Sequence, residues 1–329
     1  MKKIFTVFLS FLFTISSVFS FTSCDKQNQL DMFLIAGQSN ACGYTPYAGK
    51  KTETFENVWY AGMTDKQLVS DKLQTGYTNI IDFDTYFRSV QAGCGTNYNC
   101  IGPEYGIAKI LNEQYTNATK AFIFKTGAGG TSLKDTASVY GNWYPRSLWE
   151  YGYTPNITTP SVDNDPTGIL YQLFVENFRT VYNTLKENGY HPVVKGMAWM
   201  QGEADLSFQG LAGYRQVLEA FITDIRTDLV EITGDSTLKK MPFVIGKISP
   251  SFGYWNNNQV PGMSAAQDMV AENLESVATV SVDDLYIVKS DGTNKGPDPY
   301  HYCFEDMVTL GTRFGETLWT MRKKNFLFF

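Results

Sequence analysis

Short apolar runs alternate along this chain with longer stretches in which apolar side chains recur at every third or fourth position. The short runs are rich in Val, Ile and Phe, and such continuous apolar character is typical of strands that are buried on both faces of a sheet. The predicted strands are Leu30–Ala36, Val58–Ala61, Ala121–Lys125, Val193–Met200, Phe243–Ile248 and Ala278–Val282.

The longer stretches predict helices, because three-and-four spacing places apolar side chains on one helical face. The predicted helices are Glu104–Gln114, Gly168–Glu187, Ala212–Val230, Ser264–Glu275 and Phe304–Lys323. Alternation of strands and helices is typical of a parallel sheet between two helical layers. We therefore expect an α/β fold, a three-layer α/β/α sandwich, in one domain that spans about residues 28–325.

The segment 134–167 interrupts this alternation, because it is rich in Trp, Tyr, Pro and Asn. It predicts a long loop, and loops of this length in compact domains are often functional. Trp143 and Trp149 belong to its aromatic cluster. They are candidate substrate-binding residues. The alternative is that these aromatic side chains form a small core of the loop itself.

The first 23 residues predict a secretory signal peptide. Lys2 and Lys3 precede an apolar run from Ile4 to Phe21, and small residues follow. A second interpretation treats 21–24 as a lipobox that would attach a lipid anchor to Cys24. Either way, we expect the mature protein to be secreted, periplasmic or at the cell surface.

The net charge of −6 and the lack of a basic stripe argue against a nucleic-acid partner. Beyond a lipid anchor, nothing in the sequence predicts contact with a membrane, and the oligomeric state is left open. No metal is expected, because the chain lacks a CxxC pair and contains only two histidines.

Polar and glycine-rich segments follow several of the predicted strands. In open parallel sheets, functional sites lie beyond the carboxyl ends of the strands. We therefore expect four segments to meet along one edge of the sheet: 37–40 (Gly-Gln-Ser-Asn), 127–132 (Gly-Ala-Gly-Gly-Thr-Ser), 201–205 (Gln-Gly-Glu-Ala-Asp) and 298–301 (Asp-Pro-Tyr-His).

The positions of the two histidines indicate which reaction this edge of the sheet could support, because a serine nucleophile needs a base that titrates near neutral pH. His191 precedes its strand and would lie at the opposite edge, so His301 is the candidate base for Ser39. Asp298 lies three residues earlier, where its carboxylate could orient the imidazole.

A serine mechanism also needs N–H donors that stabilise the oxyanion of the tetrahedral intermediate. Gly129 and Gly130 would let backbone N–H groups approach the substrate closely. The N–H of Ser39 and the Gln201 side chain are further candidates, and Glu203 is assigned a supporting role. Gln38 and Asn40, which flank the serine, are candidate substrate-binding residues.

These four segments, in this order, resemble the SGNH-hydrolase superfamily, and within it the branch of sialate O-acetylesterases and acetylxylan esterases, carbohydrate esterase family 6. The resemblance covers the chain from Leu30 to the last helix and includes 102–104 (Gly-Pro-Glu). It implies a flavodoxin-like three-layer fold, no cofactor, and removal of acetyl groups from sialic acid, xylan or related glycans. With such a substrate, Trp143 and Trp149 would stack against a sugar ring. One departure is Met200, just before the third of the four segments, where these families often have His. A second is Gln201, since the wider superfamily uses an Asn donor there.

Two alternatives remain open after this resemblance. One is a non-catalytic carbohydrate-binding protein on the same fold, and the other is an esterase for longer acyl chains. The cysteines add two expectations: a Cys94–Cys100 bridge that closes a short polar loop, and a Cys42–Cys303 bridge if the proposed catalytic segments meet.

Overall fold

The computed structural model describes residues 28–64, 87–116, 119–133, 141–150, 168–207, 211–252 and 258–324. The predicted signal peptide and Cys24 lie outside these residues. No helix among the described residues combines the length and apolar character that crossing a membrane requires.

A seven-stranded sheet forms the centre of the molecule, in the order β4-β3-β6-β1-β7-β8-β9. All neighbouring strands pair in parallel except β3 and β4, which are antiparallel. A separate two-stranded sheet joins β2 to β5. The strands are β1 (Gln29–Gly37), β2 (Thr45–Pro46), β3 (Thr54–Thr64), β4 (Arg88–Gln91), β5 (Cys100–Ile101), β6 (Lys120–Gly127), β7 (His191–Met200), β8 (Phe243–Gly246) and β9 (Val277–Val280).

Helices cover both faces of this sheet. They are α1 (Ser39–Cys42), α2 (Pro103–Gln114), α3 (Arg146–Glu150), α4 (Ile169–Glu187), α5 (Leu211–Thr233), α6 (Val260–Asn273) and α7 (Phe304–Lys324). Two short 3₁₀ turns, Ala204–Ser207 and Ser236–Lys240, lie between them.

The core is divided between the two faces, because side chains alternate along each strand. In β1, Met32 and Leu34 pack with α4, α5 and α6, whereas Phe33 and Ile35 pack with α2 and α7. This arrangement confirms the three-layer α/β/α sandwich. The match to the predicted elements is close: each predicted strand and helix is present, with differences of a few residues at the ends.

Five strands and helices were not predicted: β2, β4, β5, the four-residue helix α1 and the short helix α3. The segment 141–150, assigned to a loop, contains the short helix α3. The strand β4 is exposed at the edge of the sheet and carries mostly polar side chains, so it has no apolar run for a sequence pattern to detect.

The register of the central strands sets the level of the segments that follow them. Gly37, the last residue of β1, pairs with Gly127, the last of β6, and with Met200, the last of β7. The chain therefore leaves three adjacent strands at one height and on one edge of the sheet.

Both predicted disulfides are absent, since Cys42, Cys94, Cys100 and Cys303 are all reduced thiols. The loop between Cys94 and Cys100 is closed by backbone hydrogen bonds instead, with the N–H groups of Gly93 and Gly95 both donating to the Cys100 carbonyl. Cys42 is fully buried against the sheet, where a Cβ on Gly127 would lie 2.8 Å from its Sγ. Its thiol therefore packs on β6.

Candidate active site

A cavity of about 300 Å³ lies at the carboxyl edge of the sheet. Segments that follow β1, β6 and β7 form its wall, together with the loop that precedes α7. Its lining comprises Gln38, Ser39, Tyr44, Gly129, Gly130, Glu203, Ala204, Phe252, Tyr300 and His301. Ser39 and His301 are separated by most of the chain and share this one cavity.

A sharp turn places Ser39 in the cavity wall. Gly37 has a φ of +141°, and a Cβ there would lie 2.0 Å from the carbonyl oxygen of Met200. A glycine is therefore required where β1 ends. The chain then enters α1 at Ser39, whose backbone N–H is in the first turn, where a helix supplies no acceptor.

Gln38 connects the end of β1 to the segment that follows β7. Its backbone N–H donates to the Met200 carbonyl at 2.9 Å, and its side-chain Oε1 accepts the backbone N–H of Ala204 at 3.2 Å. Gln38 was predicted to bind substrate, and it lines the cavity although it is 3% exposed. Its oxygen is fixed by the protein itself.

Asn40 was also predicted to bind substrate, but it is 1% exposed and is not among the lining residues. Its Nδ2 donates to Glu203 Oε1 at 2.9 Å and to the carbonyl oxygen of Tyr300 at 3.1 Å. One amide group thus joins α1 to two of the other segments of the wall.

Asp298 fixes the imidazole of His301. Its Oδ2 lies 2.7 Å from Nδ1 of the ring, and its Oδ1 accepts the backbone N–H groups of Tyr300 and His301 at 2.8 and 2.9 Å. A neutral histidine that donates its Nδ1 proton to this carboxylate has an unprotonated Nε2, which can accept a proton.

Tyr44 restrains the same imidazole from one face. The two rings are stacked, with centroids 4.8 Å apart and planes 9° from parallel. Tyr44 lies just beyond α1, so the segment that carries Ser39 also positions His301. No motif in the sequence indicated this contact.

Glu203 is a buried acid beside these groups, with 4% of its surface exposed. Burial raises the pKa of its carboxyl group, and the hydrogen bond from Asn40 and the charge of His301 oppose that rise. Among the described residues, its Oε2 has no hydrogen-bond partner.

Gln201 is fully buried and is not among the residues that line the cavity. Its amide nitrogen donates to Asp205 Oδ2 and to the carbonyl oxygen of Thr131, and its Oε1 accepts the hydroxyl of Tyr214. These contacts tie the segment after β7 to the segment after β6. Gly129 and Gly130, by contrast, lie in the cavity wall.

Trp143 requires a correction, because it cannot stack on a sugar. Its side chain is fully buried, its indole nitrogen donates to Thr131 Oγ1 at 3.1 Å, and its ring packs edge-on against Trp199. The side chain of Trp149 lies outside the described part of the chain.

Three other aromatic residues, Tyr44, Phe252 and Tyr300, line the cavity, and Tyr300 is 45% exposed. The rings of Phe252 and Tyr300 lie 5.7 Å apart. Tyr300 lies inside the Asp-Pro-Tyr-His segment, so its place in the sequence could have indicated this position, whereas nothing in the sequence marked Phe252.

The cavity thus combines a hydroxyl group, an imidazole held by a carboxylate, and glycine-rich backbone. This set is suited to nucleophilic attack on an acyl group. Within the described residues, no three His, Cys, Asp or Glu side chains are grouped so that they could hold a metal ion.

Comparison of the sequence with known families gives one match, to the family described as "Carbohydrate esterase, sialic acid-specific acetylesterase", over residues 29–320. No curated protein sequence matches this chain significantly.

Solved structures show the same fold. NanS is 17% identical, with a TM-score of 0.58 over 91% of this chain and 99% of its own. A protein from Arabidopsis thaliana is 16% identical, with a TM-score of 0.51 over 89% of this chain and 98% of its own. A carbohydrate acetylesterase from Xanthomonas citri is 14% identical, with a TM-score of 0.53 over 89% of this chain and 57% of its own.

Proposed function

We propose a serine mechanism for this chain, which belongs to the carbohydrate esterase family of sialic acid-specific acetylesterases. Ser39 is the nucleophile, His301 the general base and Asp298 the group that orients His301. One observation carries the proposal: Ser39 and His301 line the same cavity while Asp298 holds Nδ1 of the imidazole at 2.7 Å.

The reaction proceeds in two halves. Ser39 Oγ attacks the acetyl carbonyl carbon while His301 Nε2 takes its proton, and the tetrahedral intermediate then expels the sugar oxygen, which takes that proton. In the second half, His301 Nε2 takes a proton from a water molecule, whose oxygen attacks the carbonyl carbon of the acetyl-serine. The bond to Ser39 Oγ then breaks, Oγ takes that proton, and acetic acid is released. Asp298 stabilises the imidazolium that forms in each half.

The oxyanion is stabilised by backbone N–H groups of Ser39 and of the Gly129–Gly130 turn. Loss of one such donor typically costs roughly 3–4 kcal/mol of barrier. We assign a supporting role to Gln201, since its amide nitrogen already donates to Asp205 and Thr131. It keeps the glycine turn at the height of Ser39.

The sugar binds against the aromatic wall of Tyr44, Phe252 and Tyr300. Small-molecule sites are lined mainly by apolar and aromatic side chains with a few polar groups, and a volume of about 300 Å³ is at the small end of their range. This size favours an acetyl group on one sugar unit over a long acyl chain.

The test is acetate release by wild type and Ser39→Ala from acetylxylan, O-acetylated sialosides and a small aryl acetate. We expect Ser39→Ala to lower kcat by at least about 10³-fold with an unchanged melting temperature, because the nucleophile is lost and the fold is not. Ser89→Ala is the matched control, since Ser89 lies on the edge strand β4, where its hydroxyl donates to Glu56 of β3.

An active Ser39→Ala protein would overturn the mechanism. Binding of acetylated glycan by a wild type that releases no acetate would favour a carbohydrate-binding protein instead. Faster hydrolysis of octanoate than of acetate esters would favour an esterase for longer acyl chains.

Export is a further part of the proposal, supported by the basic and apolar character of residues 2–21. Mass spectrometry of the protein from its native host is expected to show cleavage near residue 23. A lipid on Cys24 would indicate the anchored form, and an intact N-terminus in the cytoplasm would contradict export.

A further inference from the structure

A lysine and a glutamate are fully buried beneath the candidate active site. Lys125 of β6 and Glu104 of α2 form an ion pair with Nζ 2.8 Å from Oε2, and neither side chain is exposed. Removing two charges from water is costly, and apolar side chains of similar volume often give equal or greater stability. The stability of the fold therefore does not by itself explain this pair.

The other contacts of Lys125 indicate what the pair holds. Its Nζ donates to the carbonyl oxygens of Cys42 and Cys94, both at 2.7 Å, in addition to Glu104. An ammonium group has three protons, so all of its donors are used. Cys42 is the last residue of α1, and Ser39 is the first. The ammonium group thus binds the last residue of α1, and the proposed nucleophile is the first residue of the same helix.

Glu104 also binds the backbone that lies next to α1. Its Oε1 accepts the backbone N–H of Gly102 at 2.7 Å. A Cβ on Gly102 would lie 2.5 Å from Glu104 Oε2 and 2.9 Å from the Cα of Gly43, the residue that follows α1. The Gly43 carbonyl is held in turn by the backbone N–H of Thr96 at 2.9 Å. The pair is therefore enclosed by backbone that leaves it little freedom to move.

Lys125 also lies on the strand that leads to the glycine turn. Gly127, two residues later, ends β6, and Gly129 and Gly130 then enter the cavity wall. One side chain therefore connects the strand before the proposed oxyanion donors to the helix that carries Ser39.

We propose that Lys125 is a positioning residue, whose ammonium group, held by Glu104, fixes the height of Ser39 relative to His301 and the glycine turn. The inference rests on the proposed function. A displacement of about 1 Å can cost about 10²-fold in rate. Loss of the cation should therefore lower kcat, whereas KM should change little, because the lining residues that would contact the sugar remain.

Four variants separate positioning from stability. Lys125→Met leaves a lone buried carboxylate and two carbonyl groups without a donor. Lys125→Met with Glu104→Gln removes the lone charge but does not restore the ammonium group that binds the Cys42 and Cys94 carbonyls. Glu104→Gln alone leaves the buried ammonium group without its carboxylate partner. Arg226→Met is the matched control, because Arg226 is also a buried cation that binds three backbone carbonyls, those of Met241, Glu275 and Ser276.

Those carbonyls precede β8 and β9, so Arg226 acts at the opposite edge of the sheet. We expect Lys125→Met and the double variant to lower kcat for a small aryl acetate about 10- to 100-fold with KM within about twofold. The double variant should melt higher than Lys125→Met without recovering kcat. Arg226→Met should melt lower than wild type yet retain kcat within about threefold. Glu104→Gln should lower both the melting temperature and kcat, because it removes the carboxylate that holds the ammonium group.

A double variant with wild-type kcat would overturn the proposal, and so would kcat values that follow melting temperature across all four proteins. The double variant serves as the test if Lys125→Met does not fold. Ser39→Ala is assayed alongside: if it is inactive while the double variant is fully active, only the role of Lys125 fails, and if it is active, both proposals fail.

Discussion

The molecule has two aromatic regions near its candidate active site, and they differ in what their rings contact. The segment 141–145 has Trp143 and Tyr144 fully buried, whereas the cavity wall has Tyr300 45% exposed and next to Phe252. The sequence drew attention to the first region because its aromatic residues are dense. The second has single aromatic residues from three separate segments, and these line the cavity.

Backbone anchoring accounts for the burial of the first region. The carbonyl oxygens of Asn142 and Tyr144 accept the N–H groups of Leu170 and Gly168, which fasten the segment to the start of α4. Trp143 then packs edge-on against Trp199 of β7. In the cavity wall, by contrast, Tyr300 is held through its backbone by Asp298 and Asn40, and its ring is left outside the core.

The largest expected effect comes from Trp143→Ala. Truncation of a fully buried tryptophan should lower the free energy of unfolding by about 3–5 kcal/mol, because it leaves a cavity and removes the donor to Thr131. Denaturant unfolding measures this loss. Activity assays on the folded protein should show KM for an acetylated oligosaccharide and for a small aryl acetate changing in the same proportion.

Trp143→Phe is the matched variant, since it retains an aromatic ring and should lose less stability. A Trp143→Ala protein of unchanged stability and selectively raised KM for the oligosaccharide would reverse the assignment of the two regions.

A smaller effect is expected from Tyr300→Ala, and it should fall on substrate binding and not on stability. The ring contributes to the cavity wall and not to the core, so stability should change little. We expect KM for the acetylated oligosaccharide to rise about tenfold, which corresponds to about 1.4 kcal/mol, and KM for the aryl acetate to stay within about twofold.

Tyr286→Ala is the control for Tyr300→Ala, because Tyr286 is 49% exposed and is not a lining residue. Equal KM changes for both substrates, or an equal effect of Tyr286→Ala, would show that the aromatic wall does not bind sugar.

This contrast also indicates how far the sequence leads. The strands β1, β6 and β7 were predictable because they are continuous apolar runs, and the rule that sites lie beyond the carboxyl ends of parallel strands then selected the segments after them. Ser39 and His301 line one cavity as a consequence of that topology. Their chemical roles remain predictions.

The remaining features depend on contacts between distant residues. A tryptophan in a loop has the same local sequence whether it packs inward or outward, so Trp143 was misassigned. Tyr44 reaches His301 across most of the chain length, and no local pattern encodes that distance. The sequence allows Cys42 to pair with Cys303 and Cys94 with Cys100, but the packing around each thiol decides whether two of them meet.

The smallest expected effect is a change in the pH dependence of stability, and it comes from Glu203, the buried acid of the cavity wall. Burial raises the pKa of this carboxyl group in the folded state above its value in the unfolded chain. The folded state therefore holds the proton more tightly. The contribution of Glu203 to stability is present at pH values below the ordinary range of glutamate, and it is lost as pH rises through the raised pKa.

Glu203→Gln should reduce this dependence, because glutamine is neutral at every pH and its Oε1 can still accept the hydrogen bond from Asn40. Denaturant unfolding at about pH 5 and about pH 8 is expected to show a smaller loss of unfolding free energy in the variant than in wild type. All other titrating groups are common to the two proteins, so the difference isolates Glu203. Glu272→Gln, an exposed position on α6, should match wild type. Equal losses of unfolding free energy in wild type and Glu203→Gln over this range would contradict the prediction. They would show that Glu203 ionises in the folded protein at little cost, despite its burial.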